Sequence, residues 1–276
     1  MKLSIITLTY NNLEYTKKYI DSLYKYTDDF ELIVVDNGST DGTKEYLNSL
    51  TGNVKKIFND NNLGFSKGNN QGLNVAEGEY IAFLNNDILL SPNWFEEAEK
   101  IFIRENAAFV SPRQVNPHFD DVNENNYIEY WNKNNKYEKD FQKTFDDCSF
   151  SCVVTKSNVI KQIGNFDENY TPAFFEDNDI KYRAIENGFD IYVSNRACFF
   201  HYGSVTSGRL NLNYKKNRDY YFQKNKFAEY LSLNSEEGIR LKLQTRDFEK
   251  FPLNLFYEVF KICGKVKRRI VKIIKK

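Results

Sequence analysis

Apolar positions along the chain fall into short runs separated by polar stretches, and their spacing alternates between that of strands and that of helices. Leu3 to Leu8, rich in Ile and Thr, predicts a buried strand ended by Tyr10-Asn11-Asn12, and residues 13 to 26 then set Leu13, Lys17, Ile20, Leu23 and Tyr24 at helical spacing. Phe30 to Val35 predicts a second buried strand. It stops at Asp36-Asn37-Gly38-Ser39-Thr40-Asp41-Gly42, and Thr43 to Leu50 follows as a helix capped by Ser39, Thr40 or Asp41. Val54 to Phe58 reads as a weaker third strand, Gly64 to Ala76 as a Gly- and Asn-rich loop entering a helix, and Tyr80 to Leu84 as a fourth strand. Strand-helix repetition of this kind predicts a parallel sheet with helices on both faces and ligands beyond the carboxyl ends of the strands. Near the other end, Tyr214 to Leu231 reads as a helix, and Asn234-Ser235-Glu236-Glu237 as the cap of another.

Composition narrows the class. The 276 residues suffice for a substantial core in one large domain or two small ones. A hydrophobic content of 41% with 23 Phe and 19 Tyr is that of a folded globular protein. Lys+Arg 38 cancel Asp+Glu 38, so no global basic field points to nucleic acid. Cysteines at 148, 152, 198 and 263 form neither a CxxC pair nor a short disulfide framework, which predicts a reducing compartment, the cytoplasm. The first residues are too briefly apolar for a signal peptide, and no run of about 18 apolar residues predicts a membrane span.

Candidate chemistry gathers at the strand ends. Asp36 directly follows Ile33-Val34-Val35, where its carboxylate could accept a base N–H, although Asp-Asn-Gly-Ser is also simply a good turn. The glycines of Gly64-Phe65-Ser66-Lys67-Gly68-Asn69-Asn70-Gln71-Gly72 would let backbone amides approach a ligand, with Lys67 neutralising phosphate. Asn85-Asn86-Asp87 ends the fourth strand with groups suited to a divalent cation and a phosphate. Glu176-Asp177-Asn178-Asp179 offers a general base, or equally an acidic helix N-terminus favoured by the helix dipole. Of the two histidines, His118 in a polar stretch reads as structural or surface, and His201 ends the apolar run Ala197-Cys198-Phe199-Phe200 ahead of a Gly-containing loop, residues 202 to 209. Cys148 and Cys152 read as small buried residues.

Several of these segments occur together and in order: Ile5-Ile6-Thr7-Leu8-Thr9-Tyr10-Asn11-Asn12, Val34-Val35-Asp36-Asn37-Gly38-Ser39-Thr40-Asp41-Gly42-Thr43, Leu63-Gly64-Phe65 with Gly68 to Gly72, and Phe83-Leu84-Asn85-Asn86-Asp87. In this the chain resembles the family 2 glycosyltransferases over roughly residues 3 to 205. The resemblance implies an α/β protein with the GT-A fold: a Rossmann-like, mostly parallel central sheet flanked by helices, with a C-terminal helical extension. It implies a catalytic domain over 1–210, with a nucleotide-sugar half over 1–110 and an acceptor half over 111–210, followed by a helical region with a basic amphipathic tail over 211–276. The implied reaction is an inverting transfer of a sugar from a nucleotide diphosphate donor, with a UDP-hexose or UDP-N-acetylhexosamine favoured, to a surface glycan or a protein such as flagellin. A dTDP-deoxysugar (rhamnosyl) transferase and a non-catalytic nucleotide-sugar-binding protein are the alternatives.

Carried over by motif, Thr9, Tyr10 and Asn11 would border base and ribose, Asp36 would face the base, and Gly64, Lys67 and Asn69 would line the donor pocket. Asn85-Asn86-Asp87 stands where the family has Asp-x-Asp, so Asn85 and Asn86 would contact the nucleotide and Asp87 the metal, with one carboxylate fewer than usual. His201 would be the second protein ligand, and its imidazole favours Mn²⁺ over Mg²⁺. Asp177 would be the general base, with Glu176 next.

Two segments stay open at this level. Residues 116 to 147 are polar and carry Tyr127, Tyr130, Trp131 and Tyr137, which would stack on acceptor sugars or merely pin down a long excursion. Leu255 to Lys276 sets Phe256, Val259, Phe260, Val266, Ile270, Ile273 and Ile274 among eight basic residues. That pattern suits a helix lying peripherally on the inner face of an anionic membrane, or one packed on the catalytic domain or a dimer partner. Lys215, Lys216, Arg218, Lys224 and Lys226 read as a solvated helix face, or one of them as a diphosphate contact.

Overall fold

A computed structural model describes residues 2–117, 122–203 and 214–225. His118, the loop from residue 204 to 209, Lys226, Cys263 and the expectations for 234–237 and 255–276 lie outside the described residues. The elements run β1 (Leu3–Thr9), α1 (Leu13–Tyr26), β2 (Phe30–Asp36), α2 (Thr43–Ser49), β3 (Val54–Phe58), α3 (Phe65–Leu73), β4 (Tyr80–Leu84), β5 (Ile88–Leu90), α4 (Trp94–Arg104) and β6 (Ala107–Val115). They continue with α5 (Tyr127–Asn134), β7 (Phe141–Lys143), β8 (Cys152–Lys156), α6 (Ser157–Ile163), α7 (Glu176–Glu186), β9 (Asp190–His201) and α8 (Tyr214–Lys224).

One sheet joins the strands in the order β3-β2-β1-β4-β8-β6-β9-β5, with β7 paired to β9. The first four strands are mutually parallel, as the alternating strands and helices predict. Beyond β4 the sheet turns mixed: β8 runs antiparallel to β4 and β6, β9 parallel to β6, and β5 antiparallel to β9. The period-two pattern divides the core between the two faces. Leu3, Ile5, Leu32, Val34, Tyr80 and Ala82 pack with Tyr19, Ile20 and Leu23 of α1 and Trp94 of α4 on one side. Ile6, Ile33, Ile81 and Phe83 pack with Val159, Ile160, Ile180 and Ile185 of α6 and α7 on the other. The cap of α2 differs from expectation. Gly42, with φ 89°, takes the N-cap position, while Asp41 accepts from Thr43 N at 3.2 Å and Leu13 N at 3.0 Å and so ties the start of α2 to the start of α1.

The edge of the sheet away from the strand ends carries a buried carboxylate. Glu31 accepts from Ser4 Oγ at 2.5 Å and from Glu77 N at 2.7 Å, and Lys55 Nζ lies 2.8 Å from its second oxygen. One side chain thus joins β1, β2, β3 and the turn into β4. Burial alone would raise the Glu31 carboxyl, but Lys55, Ser4 and the Glu77 amide outweigh it, and the net shift is downward. Stability from this group is present above the unfolded carboxylate range, about pH 4.3, and is lost as pH falls through the lower folded value. Lys55→Ala leaves that charge buried without its cation and is expected to cost about 2 kcal/mol, less than a fully buried pair because Lys55 keeps some water contact. Urea unfolding at pH 7 checks this, and an unchanged midpoint would show that the pair contributes nothing.

Candidate active site

The site begins where β4 ends. The chain leaves the parallel strands at Leu84, passes through Asn85, Asn86 and Asp87, and pairs again as β5 with β9, Ile88 opposite His201. Tyr202 N donates to Asp87 O at 3.1 Å, which continues that ladder and brings two residues distant in sequence side by side. Successive ladder residues face opposite sides of the sheet, so it is the turn at Asn86 and Asp87 just ahead of β5 that sets Asp87 Oδ1 3.3 Å from His201 Nε2, both largely buried. Asn85 is fixed by Ser151, through Asn85 N to Ser151 O at 2.9 Å and Nδ2 to Oγ at 3.2 Å. Asn86 turns its amide to Thr16 Oγ1 of α1, at 2.9 Å.

The loop after β2 builds itself around Asp36. That carboxylate, 1% exposed, accepts from Thr9 Oγ1 at 3.0 Å, from Ser39 N at 3.1 Å and from the Ser39 hydroxyl. Asn11 N donates to Ser39 Oγ at 2.7 Å, and Asn11 Oδ1 accepts from Thr40 N at 2.8 Å. Asp36 and Asn11 therefore shape the loop, while Thr9 and Tyr10 reach the cavity. The glycines of α3 have a packing role. A Cβ on Gly68 would come within 2.7 Å of Leu8, and one on Gly72 would collide with Ile6, so both let the helix lie close on β1. Gly64, with φ 85°, faces Pro172 O, where a Cβ would stand 2.6 Å away. Lys67 is exposed and outside the cavity lining, and Asn69 is buried with its amide on Phe65 O at 3.0 Å.

The opposite wall is the first turn of α7. Phe174 and Phe175 precede it in left-handed backbone conformation, φ 80° and 72°, strained for bulky residues. Glu176 is buried with Oε2 lacking a hydrogen-bond partner among the described residues, while Asp177 is half-buried and accepts from Asn178 N at 2.8 Å. Burial, then the neighbouring Asp177 charge, push the Glu176 carboxyl well above the ordinary carboxylate range. Asp177 is the more open carboxylate of the two. One turn on, Lys181 is buried, donates to Phe145 O at 3.2 Å, and sits over the Phe145 ring at 4.9 Å.

Helix α8 braces that turn. Asn217, 2% exposed, donates to Ala173 O at 2.8 Å and Phe174 O at 3.2 Å, and Tyr221 packs on Phe175 with ring centroids 5.5 Å apart. Lys224, expected on a solvated face, instead pairs with Asp167 at 2.6 Å and with the fully buried Asp179 at 2.9 Å, and Asn225 Nδ2 adds a bond to Asp179 at 3.0 Å.

A cavity of about 820 Å³ joins these walls. It brings together Thr9, Tyr10, Gly64, Asn85, Asn86, Asp87, Glu176, Asp177 and His201 from the sequence-based set, and leaves Asn11, Asp36, Lys67 and Asn69 outside its lining. Arg113 and Lys181 also line it and were missed. Lys181 follows Asp177 by one helical turn, a spacing that would have revealed it, whereas nothing local marks Arg113. The carboxylate and imidazole of Asp87 and His201 have nearly the spacing of adjacent ligands on one cation, about 3 Å for bonds near 2.1 Å. Among the described residues no third His, Cys, Asp or Glu completes a cluster with them, so remaining positions around a cation would fall to phosphate oxygens and water.

Comparison with known proteins points the same way. The sequence model of the family described as Glycosyl transferase family 2 matches residues 4–164. An uncharacterised glycosyltransferase of Haemophilus influenzae is 36% identical over 98 residues, 34% of this chain and 30% of that protein. Chondroitin synthase of Pasteurella multocida is 32% identical over 120 residues, 41% of this chain and 12% of that protein. This chain thus spans less than a third of the length of either relative. Among solved structures, S. aureus TarS 1-349 in complex with UDP-GlcNAc superposes with a TM-score of 0.58 at 20% identity, covering 88% of this chain and 76% of that one. At that identity the likeness shows a shared fold.

Two outcomes follow for the α7 turn. The unfolded chain releases the Glu176 proton near about pH 4.3, while the fold retains it to higher pH, so stability from this residue is full at low pH and declines as pH rises. Glu176→Gln should melt above wild type at pH 8 and converge with it at pH 4, whereas a gap independent of pH would show that Glu176 ionises freely. Asn217→Ala should release the Phe174 turn and cost about 1–2 kcal/mol in urea unfolding by leaving two backbone carbonyls without their donor, and an unchanged midpoint would show that α8 does not brace the turn.

Proposed function

The chain belongs to glycosyl transferase family 2 and has the GT-A fold, and from that premise we propose that it is an inverting glycosyltransferase moving a sugar from a UDP-hexose or UDP-N-acetylhexosamine to a hydroxyl of a surface glycan or of a protein such as flagellin. The observation that carries this reading is a single cavity with the Asp87–His201 pair on one wall and Asp177 on another. The UDP-GlcNAc bound by TarS supports a uridine nucleotide as donor.

In this reading Thr9 and Tyr10 border the nucleoside, Asp36 keeps their loop in shape, and Asn85 offers its amide to the ribose. Asp87 and His201 would hold Mn²⁺ or Mg²⁺ together with the donor's phosphates. Such an ion would supply positive charge to the departing diphosphate. Asp177 takes the proton of the acceptor hydroxyl as that oxygen bonds the anomeric carbon, and the bond from that carbon to the diphosphate oxygen breaks with its electrons leaving on UDP. Attack opposite the leaving group inverts the anomeric centre. Glu176, favoured in its neutral form, adds no second charge beside the base.

A cytoplasmic setting fits Cys148, Cys152 and Cys198, which are buried free thiols. No helix among the described residues is long and apolar enough to cross a membrane, and peripheral contact through residues 255–276 remains part of the proposal.

The test is UDP release from a UDP-sugar panel, with the anomeric configuration of the product read by NMR. Asp177→Asn should reduce release by roughly 10² to 10⁴ while UDP still binds. Turnover near wild type in that variant would overturn the base assignment, and no release from any donor would favour a binding protein.

A further inference from the structure

Away from the nucleotide loops, the cavity is walled by an aromatic pair whose construction the transfer mechanism does not explain. Trp131 of α5 and Tyr137 just beyond it line the same cavity as Asp177 and His201, with ring centroids 6.3 Å apart and planes 32° from parallel. Tyr137 is 41% exposed, yet its ring is flanked by Trp131 and by the Arg113 guanidinium. The Arg113 guanidinium lies 4.4 Å over its ring. That guanidinium is itself fixed by Asn195 Oδ1 at 2.9 Å, Gln142 Oε1 at 2.9 Å and Asp147 Oδ2 at 3.0 Å. The backbone around the tyrosine is held as firmly: Arg196 donates to Tyr137 O at 3.2 Å and Glu138 O at 3.0 Å, and Tyr137 N donates to Asn135 Oδ1 at 3.1 Å.

Holding an exposed ring rigid costs side-chain entropy and returns little burial to the fold. The same rigidity is useful to a ligand, because a preorganised ring loses nothing further on contact. A pyranose suits such a wall, with an apolar C–H face to lie on the rings and a rim of hydroxyls for the nearby Gln114, Asn116 and Asp146, which also line the cavity. The wall is built from β6, β9 and the α5 segment, whereas Thr9 and Tyr10 stand at the end of β1 on the parallel side of the sheet.

We propose that Trp131 and Tyr137, backed by Arg113, form a stacking platform for a sugar ring of the acceptor, so that the acceptor is a saccharide and not a peptide. This rests on the glycosyltransferase reading and narrows it.

The protein provides its own reporter. It has two tryptophans, and Trp94 is fully buried in the core, so acrylamide quenching reads mainly Trp131. The full chain, saturated with UDP and Mn²⁺, is titrated with methyl glycosides of glucose, galactose, mannose, rhamnose and N-acetylglucosamine, and with a Ser/Thr-rich peptide. At least one glycoside should lower the quenching constant about twofold or more. Tyr137→Ala should abolish that protection and Tyr137→Phe retain it, with thermal midpoint and calorimetric UDP affinity near wild type in both, while Trp131→Phe removes the signal. Protection by UDP alone would assign the rings to the nucleotide base, and protection by the peptide alone would make the acceptor a protein. Either result overturns the proposal, as does protection by no glycoside. Failure of UDP itself to bind would strike instead at the nucleotide-sugar reading.

Discussion

The short antiparallel pairing of β5 with β9 is the constraint on which the site depends. A chain leaving a parallel strand ordinarily turns away into a helix. Here it advances three residues past β4 and is caught again by the last long strand, Ile88 against His201. Because the register of a ladder is set residue by residue, a slip of one position would send the Asp87 or the His201 side chain to the wrong side of the sheet. The fully buried Ile88, Leu90 and Phe199 oppose such a slip by anchoring both strands in the core.

The other wall is held by a different kind of force. The left-handed turn at Phe174 and Phe175 carries a backbone cost of order 1–3 kcal/mol per residue. It persists because Asn217 holds two of its carbonyls while Pro172 O is bound by Phe65 N at 2.8 Å. Asn70 adds a second tie between the halves, donating to Phe166 O at 2.9 Å and accepting from Phe166 N at 3.0 Å. The segments on either side of the cavity are therefore joined through backbone groups, and α8 packs on the turn before α7 even though it follows the segment that matches the family.

What the sequence showed and what it hid divide along the same line. The strands β1 to β4 and their helices were legible because each is a local run of apolar residues with its own stop signal, and that Asp87, Asp177 and His201 would stand beside a strand end or a helix start, where they line one cavity, was legible in the same way. The packing role of Gly68 and Gly72 was hidden because the same residue type serves close helix-strand packing and ligand approach, and only the position of Leu8 and Ile6 reveals the first. That Thr9 and Ser39 engage the Asp36 carboxylate was hidden because nothing local marks those bonds. Arg113 and the bracing by Asn217 depend on pairings between residues tens of positions apart, which periodicity does not encode, whereas Lys181 stood one helical turn from Asp177. The mixed half of the sheet was hidden for the same reason, since strand direction there is set by long connections.

Calorimetric titration of UDP, with Mn²⁺ and with chelator, into wild type, Asp87→Ala, His201→Ala and the double variant asks most directly whether the β5–β9 register builds one cation and nucleotide site. If it does, Mn²⁺ tightens UDP binding by about tenfold or more, either single substitution removes that gain, and the double variant is no worse than the singles. Equal UDP affinity with and without metal, or full coupling retained after loss of either side chain, would contradict it.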